Sequence, residues 1–138
     1  MFTELDIDNW PRKTTYEFFR DYEDPFFNIT ANVDVTNLYQ FSKKNSLSFA
    51  LTALFCSLRA ANEIREFRIR LLDGRLVEFD TIHATQTILN SDETFSFSYF
   101  EMKGDVYEFD ISGKAALAKY KGLRSFDVEA DRYDLQIT

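Results

Sequence analysis

His83 is the first candidate for chemistry in this sequence, because an imidazole can act as general base or general acid near neutral pH. It is the single histidine of the chain and lies in the stretch "FDTIHATQTIL". A serine nucleophile would need the same histidine, since its hydroxyl must be activated by a neighbouring base. The surrounding strand pattern favours a sheet or surface histidine, although a strand residue can still face a cleft. Both interpretations remain open from the residue pattern alone.

Other residue types give weaker indications of chemistry. A metal site of Cys and His ligands is excluded, because one cysteine and one histidine cannot complete a ligand set. The segment "LDGRL" has a single glycine in a turn, so it is not a phosphate-binding loop. Acidic clusters are typical of solvated faces when no partner acid lies across a cleft. Two such clusters are present: Asp105, Glu108 and Asp110, and Glu129, Asp131 and Asp134.

Size and composition predict a single domain over residues 1–138, since 45% of the residues are hydrophobic and 17% aromatic. The net charge of −7 and the absence of clustered Lys and Arg argue against nucleic acid as a partner. We also expect no membrane partner, because no apolar run approaches the roughly 20 residues of a membrane span. The N-terminus does not resemble a signal peptide, so a cytoplasmic location is expected.

The hydrophobic periodicity predicts an α+β fold with two layers, in which helices cover one face of a mixed or antiparallel sheet. Helices are predicted at residues 12–24, 35–45, 47–64 and 112–122. Strands are predicted at residues 27–35, 81–89, 94–100 and 131–138, with a hairpin over residues 67–80. Asp73 and Gly74 suit the turn of that hairpin, because both tolerate a positive φ angle.

The helix at residues 47–64 is the most strongly patterned element. Its apolar stripe has three- and four-residue spacing, which is typical of a helix packed against a core. Cys56 lies outside the stripe, and we expect it to be a small buried residue rather than a reactive thiol. The stripe consists of Leu47, Leu51, Leu54, Phe55 and Leu58.

Four ordered segments resemble the chloramphenicol acetyltransferase family. "FTELDIDNWPRKTTYEFF" is similar to the family's opening, where an aspartate precedes a Trp-x-Arg-[Lys/Arg] run and an aromatic helix. "NVDVTNL" is similar to its Asp-[Ile/Val]-Thr segment, and "DETFSFSYF" to its Glu-Thr-Phe-Ser strand. "EFRIRLLDGRLVEFDTIHATQTIL" resembles the block between them. The resemblance is good from Phe2 to about Tyr99 and looser through Gly122.

The resemblance implies acetyl transfer from acetyl-CoA to a hydroxyl of an aromatic acceptor such as chloramphenicol. It also implies a homotrimer with the reaction site at the subunit interface. The family's base is a histidine in a C-terminal His-His-x-x-x-Asp-Gly motif, which these residues do not contain, and His83 matches a different position. The family's oxyanion serine is also missing. We therefore expect an N-terminal portion of a larger fold, incomplete on its C-terminal side, with no catalytic residue of its own.

The resemblance places the acceptor pocket on six residues, although these could instead be core residues. Aromatic walls suit a nitrophenyl group through stacking and area burial. Phe19 replaces a tyrosine that the family often has, which removes a hydroxyl partner. Arg12 matches a structural arginine whose carboxylate partner is missing, so water or another acid such as Asp6 would have to replace it. The pocket positions are Phe18, Phe19, Phe27, Thr87, Phe95 and Phe97.

Two hypotheses about function follow. In the first, the chain is the N-terminal portion of an acetyltransferase, either inactive or complemented by a separate C-terminal polypeptide. In the second, it is a non-catalytic ligand-binding or oligomeric assembly module that retains the pocket. Both hypotheses predict that the chain associates with itself or with a second chain. The reason is that an incomplete fold leaves a sheet edge and apolar faces uncovered.

Overall fold

A computed structural model of the chain describes residues 1–123 and 132–137. Helices and strands alternate irregularly along the chain, as the predicted α+β class requires. The described elements are β1 (Phe2–Glu4), α1 (Lys13–Phe19), α2 (Thr36–Lys44), α3 (Phe49–Glu63), a 3₁₀ helix (Arg65–Arg68), β2 (Ile69–Leu72), β3 (Arg75–Phe79), β4 (His83–Leu89), β5 (Phe95–Phe100), α4 (Val106–Tyr120) and β6 (Leu135–Ile137).

The first sheet has the strand order β1-β3-β2, and both pairings are antiparallel. The predicted hairpin forms its centre. Asp73 and Gly74 have φ angles of 49° and 78°, so both occupy the left-handed region that a type I′ turn needs. Leu72 pairs with Arg75 across this turn. The turn prediction is therefore confirmed.

The second sheet has the order β5-β4-β6. β4 and β5 are antiparallel, whereas β4 and β6 run parallel, so this sheet is mixed. The predicted α+β class with mixed and antiparallel pairing is confirmed. The division of the strands between two three-stranded sheets did not follow from the sequence, because hydrophobic alternation does not specify which strands pair.

The core forms where α3 and α4 pack together and against the second sheet. Leu51, Leu54, Phe55 and Leu58 of the predicted stripe are buried. Phe109 of α4 packs between them and Phe100, and its ring centroid lies 5.5 Å from that of Phe55. Burial of these side chains supplies the main stabilising contribution, at roughly 1.5–3 kcal/mol for each large apolar residue.

Cys56 corrects one of our expectations, because its side chain is exposed rather than buried. It directly follows the buried Phe55 but lies outside the stripe, on the face of α3 that points away from the core. Helical geometry explains this, since adjacent positions are separated by about 100° around the axis. The stripe itself contained the information that the expectation overlooked.

α4 begins at Val106, earlier than the predicted start at residue 112. Asp105 caps it by accepting hydrogen bonds from the backbone N–H groups of Tyr107 and Glu108. Asp110 is buried, and its carboxylate accepts from the Ser48 N–H at 2.7 Å and from the Lys114 ammonium at 2.5 Å. The interpretation of this acidic cluster as a solvated face is therefore wrong for Asp110, which joins α3 to α4.

The segment after α1 also differs from the prediction. α1 ends at Phe19, so the helix predicted over 12–24 is shorter, and Arg12 is its N-cap without a side-chain hydrogen bond. Residues 27–35 form no strand, although they alternate apolar and polar side chains. In this part of the described chain, residues 27–33 make no backbone–backbone hydrogen bond.

Candidate functional site

An apolar groove lies beside α1 and has a volume of about 590 Å³. We call it the α1 groove. The rings of Trp10 and Tyr16 stand 6.2 Å apart in its wall, and the aliphatic side chain of Leu71 contributes from the β2–β3 hairpin. The lining residues are Trp10, Arg12, Thr15, Tyr16, Phe19, Arg20, Asp21, Pro25, Leu71 and Gly74.

Local turns before α1 set the position of Trp10. The Trp10 N–H donates to the Ile7 carbonyl, and the Trp10 carbonyl accepts from Lys13 N–H at the start of the helix. Tyr16 and Phe19 are three residues apart on α1 and so share one face of the helix. The helix has seven residues and none of them is buried, so its aromatic side chains are held by one another and by the groove.

Charges at the rim of the groove are already paired. The Arg12 guanidinium lies 2.9 Å from a carboxylate oxygen of Glu66, and Arg20 lies 3.4 Å from Asp21. Asp6, which we considered as a partner of Arg12, instead binds Asn9 through both backbone and side chain. The hydrogen bond from the Asn9 side chain lowers the pKa of Asp6 from its ordinary value.

Three of the predicted pocket residues lie on α1 or just after it. Phe19 lines the α1 groove, and its ring is 4.9 Å from that of Phe18 in an edge-on contact. Tyr22 completes this aromatic cluster, with its ring 5.2 Å from Phe19. Phe27 lies beyond Pro25 with 87% of its surface exposed and is outside the groove.

The other three predicted residues lie together on the second sheet. Thr87 of β4 is the cross-strand partner of Phe97 on β5, and the Phe95 and Phe97 rings make an edge-on contact at 5.8 Å. None of these three lines the α1 groove. The structure therefore brings the six residues together as two groups, one at α1 and one on the second sheet.

Trp10 and Leu71 are groove residues that our list of pocket positions omitted. Trp10 belongs to the Trp-x-Arg run that we quoted, so the sequence carried a signal for it. Leu71 had no such signal, because the sequence does not specify how the hairpin lies against α1, some fifty residues earlier in the chain. Only tertiary packing places the two walls face to face.

His83 lines neither the α1 groove nor a second cavity of about 320 Å³ between β5 and α4. Its Nδ1 atom accepts a hydrogen bond from the Met102 N–H at 2.9 Å. A neutral imidazole with Nδ1 as acceptor carries its proton on Nε2. Nε2 lies 3.8 Å from a carboxylate oxygen of Asp134. Neither ring nitrogen is therefore directed into one of these two cavities.

Electrostatics around His83 favour the neutral ring. Burial lowers its pKa from the ordinary value, and the carboxylates of Glu101 and Asp134 oppose this only partly. Arg132 binds both carboxylates, at 2.6 Å to Glu101 and 2.9 Å to Asp134. Burial tends to raise the pKa of Asp134, but the hydrogen bond and charge of Arg132 outweigh it and keep that pKa low. This polar cluster joins β6 to β4 and β5.

Among the described residues, no group of three or more His, Cys, Asp or Glu side chains could hold a metal ion. The helices described are also too short or too polar to cross a membrane.

Comparison with known proteins connects this geometry to one family. The profile of the family described as chloramphenicol acetyltransferase matches residues 1–135. Chloramphenicol acetyltransferase 3 of Escherichia coli is 25% identical over 121 residues, which cover 87% of this chain and 57% of that protein. A chloramphenicol acetyltransferase of Klebsiella sp is 32% identical over 109 residues, covering 78% of this chain and 50% of that protein.

A solved chloramphenicol acetyltransferase structure superimposes with a TM-score of 0.81 at 36% identity, covering 86% of this chain and 56% of that chain. The chain therefore belongs to the chloramphenicol acetyltransferase family, and the resemblance in its motifs is confirmed. The chain spans about half the length of the curated relatives it matches. Acetyl-CoA is the co-substrate that the family implies.

Proposed function

We propose that this chain supplies the acceptor-binding part of an enzyme that transfers an acetyl group from acetyl-CoA to a hydroxyl of an aromatic acceptor such as chloramphenicol. The observation that carries the proposal is the aromatic α1 groove in a member of this family. A groove of this volume suits a drug-sized aromatic molecule, which would gain area burial and stacking.

Acceptor recognition would depend on the two groups of predicted residues. Phe18 and Phe19 would contribute from α1, while Thr87, Phe95 and Phe97 would approach from a neighbouring copy of this chain. Phe27 would become part of the pocket when its segment is covered. The paired rim charges leave the aromatic wall as the main source of affinity in the chain alone.

The general base would come from outside these 138 residues. His83 holds Met102 through Nδ1 and faces Asp134 through Nε2, so it is occupied in positioning β6 and β5. A base contributes roughly 10²–10⁴-fold to the rate. The chain by itself is therefore expected to bind the acceptor without acetylating it. Arg12 would exchange Glu66 for an aspartate of the segment that carries the base.

The assembly that we propose is a homo-oligomer, with three copies by analogy with the family, in the cytoplasm. The part of the family fold that lies outside these 138 residues would complete each reaction site. Acetyl-CoA would bind largely through that part, since the groove described here has an aromatic wall suited to the acceptor. Sedimentation or native mass measurements on the purified chain would determine the number of copies.

Trp10 provides a direct test of acceptor binding. It is the only tryptophan of the chain and it lines the α1 groove, so chloramphenicol bound there should quench its fluorescence. Replacing Phe19 by alanine removes a wall of the groove and should weaken binding about tenfold. Phe67→Ala is the matched control, because Phe67 has similar exposure and lies outside the groove. Equal affinities for the two variants would exclude the groove as the acceptor site.

The alternative function is a non-catalytic ligand-binding or assembly module. Its support is the apolar surface of the chain, where large side chains such as Phe26 and Val33 are largely exposed. Coenzyme A release in the presence of chloramphenicol separates the two functions. The acetyltransferase proposal expects release only when a second chain carrying the base is supplied, whereas a binding module gives none in either case.

A further inference from the structure

Asn90 directly follows β4 and has a buried side chain, with 7% of its surface exposed. All the polar atoms of its amide group are hydrogen-bonded. Nδ2 donates to the Ser96 hydroxyl at 2.9 Å and to the Thr94 hydroxyl at 3.1 Å. Oδ1 accepts from the Gly122 N–H at 2.9 Å. One side chain therefore connects the β4–β5 turn and β5 to the C-terminal end of α4.

The Ser96 hydroxyl extends this connection. Ser96 is 1% exposed, and its hydroxyl also donates to the Leu123 carbonyl just beyond α4. An asparagine amide has two hydrogens to donate and a serine hydroxyl has one, so each hydrogen in this network has its own acceptor. Gly122 takes part where α4 ends, with a φ angle of 84° that glycine adopts without strain. A buried network in which the members are satisfied makes its surroundings rigid.

Phe95 lies between the two residues to which the Asn90 amide donates, Thr94 and Ser96. Side chains alternate across a strand, so Ser96 points toward α4 while Phe95 and Phe97 point to the opposite face of β5. The Phe95 ring contacts the Phe97 ring on that face at 5.8 Å, and Phe95 is 46% exposed. The backbone that Asn90 holds on both sides therefore sets the direction in which Phe95 leaves the sheet.

We propose that Asn90 is a positioning residue for the acceptor: it fixes Phe95 through the backbone on either side of that ring, without contacting the acceptor itself. This inference rests on the proposed function, because Phe95 is one of the residues expected there to bind the acceptor. A ring that is held in place before binding loses less conformational freedom when the acceptor arrives, so the affinity is higher.

Asn90→Asp in the full 138-residue chain is the first test. Aspartate keeps the size of the side chain and an acceptor for Gly122, but it has no hydrogen to donate to Ser96 or Thr94. Both hydroxyls already donate to other groups, so the new carboxylate would face their oxygen atoms. We expect chloramphenicol binding, measured by equilibrium dialysis, to weaken about tenfold. Unchanged affinity would overturn the proposal.

Asn62→Asp is the matched control. The Asn62 amide also makes three hydrogen bonds, to the Leu58 carbonyl and to the carbonyl and N–H of Ile82. These bonds support the start of β4, at the opposite end of that strand from Asn90. Urea unfolding compares the stability of the two variants, and the affinity of Asn62→Asp for chloramphenicol should equal that of the original chain. Equal weakening by both variants would assign the effect to general destabilisation and reject a positioning role.

A double-mutant cycle with Phe95→Ala separates positioning from a merely structural role. Phe95→Ala should itself weaken binding, and adding Asn90→Asp to it should cause no further loss, since Asn90 acts through the ring. Additive losses, or no loss from Phe95→Ala, would overturn the proposal. Ser96→Ala replaces Asn90→Asp in the cycle if the aspartate prevents folding, because it breaks the same network without adding a charge. We expect it to weaken binding about threefold.

A measurement without any ligand keeps this proposal separate from the proposed function. Fluorine NMR of para-fluorophenylalanine placed at position 95 should show one sharp signal in the original chain. The signal should broaden or split in Asn90→Asp, because the ring then samples several positions. An identical spectrum in the variant would overturn the positioning role. If the original chain binds no chloramphenicol, the proposed function and the acceptor role of Asn90 fail together, and the spectra still show whether Asn90 holds Phe95.

Discussion

Two regions of this molecule differ in how completely they bury their apolar side chains. In the first, α3, α4 and the second sheet enclose side chains such as Leu51 and Phe109, each with about 1% of its surface exposed. In the second, α1 and residues 20–35 carry many large apolar side chains that remain exposed. Contacts within the chain bury the apolar side chains of the core region, whereas most large apolar side chains of the N-terminal region stay largely exposed among the described residues.

Polar groups differ between the regions in the same way. Ser48 and Asp110 meet across α3 and α4 in a partly buried hydrogen bond. The polar bonds near residues 27–35 are local and exposed, such as the one from the Thr36 N–H to Asp34. A region with only local bonds can rearrange at low cost when a partner arrives. Stability therefore resides mainly in the core region, whereas the proposed acceptor binding belongs to the N-terminal region.

The largest expected effect is on the core. Leu58 has 1% of its surface exposed, and Leu58→Ala should lower the free energy of unfolding by about 2–5 kcal/mol through lost burial and a residual cavity. Urea unfolding monitored by circular dichroism measures this difference. A loss below about 1 kcal/mol would show that the core region is not closely packed.

The bond between α3 and α4 should contribute less. Asp110→Ala removes the acceptor for the Ser48 N–H and the partner of Lys114, and should cost about 1–3 kcal/mol. Lys114→Ala is the control, because Lys114 is half exposed and its loss leaves the Ser48 bond in place. Similar destabilisation by the two variants would assign the effect to the ion pair instead of the helix connection.

The polar cluster at β6 predicts a pH dependence. The pKa of His83 is lowered in the folded chain, so the unfolded chain binds the proton more readily. Stability should therefore be unaffected above the ordinary pKa of histidine and should decline as the pH falls through and below that value. Protonation of Nδ1 would also end the bond from Met102.

Glutamine at position 83 tests this prediction, because it does not titrate in this range. The fall in melting temperature between about pH 7.5 and about pH 5.5 should be smaller in His83→Gln than in the original chain. An equal fall would assign the pH dependence to groups other than His83.

The smallest expected effect lies in the N-terminal region. Phe18→Ala removes a large apolar side chain that is 62% exposed, so it should change the free energy of unfolding by less than about 0.5 kcal/mol. Chemical denaturation of the variant beside Leu58→Ala measures the contrast directly. A large loss of stability from Phe18→Ala would mean that the N-terminal region is part of the core after all.

Pattern and turn chemistry anticipated much of the fold. The stripe of α3 identified the buried face, and Asp73 and Gly74 fixed the hairpin, because both signals depend on neighbours within a few residues. The strand at residues 27–35 was predicted on equally good alternation and is absent. Alternation shows that a segment suits a sheet, but pairing needs a second strand at hydrogen-bonding distance.

The sequence predicted some residues of the candidate site and missed others, for the same reason. Phe19 was found through its place in an ordered motif, and it lines the groove. Leu71 was missed, since its role depends on how the hairpin lies against α1. The six predicted pocket residues remain a prediction, because they form two separate groups in this chain.

The sequence by itself determined the family, the helix and strand types of the strongly patterned segments, and the lack of a second histidine among these residues. Tertiary structure alone decided that Asp110 is buried and that His83 connects strands without lining either of the two cavities described. The physical reason is range: local propensities act over a few residues, whereas burial and hydrogen-bond partners are set by segments that are distant in the chain.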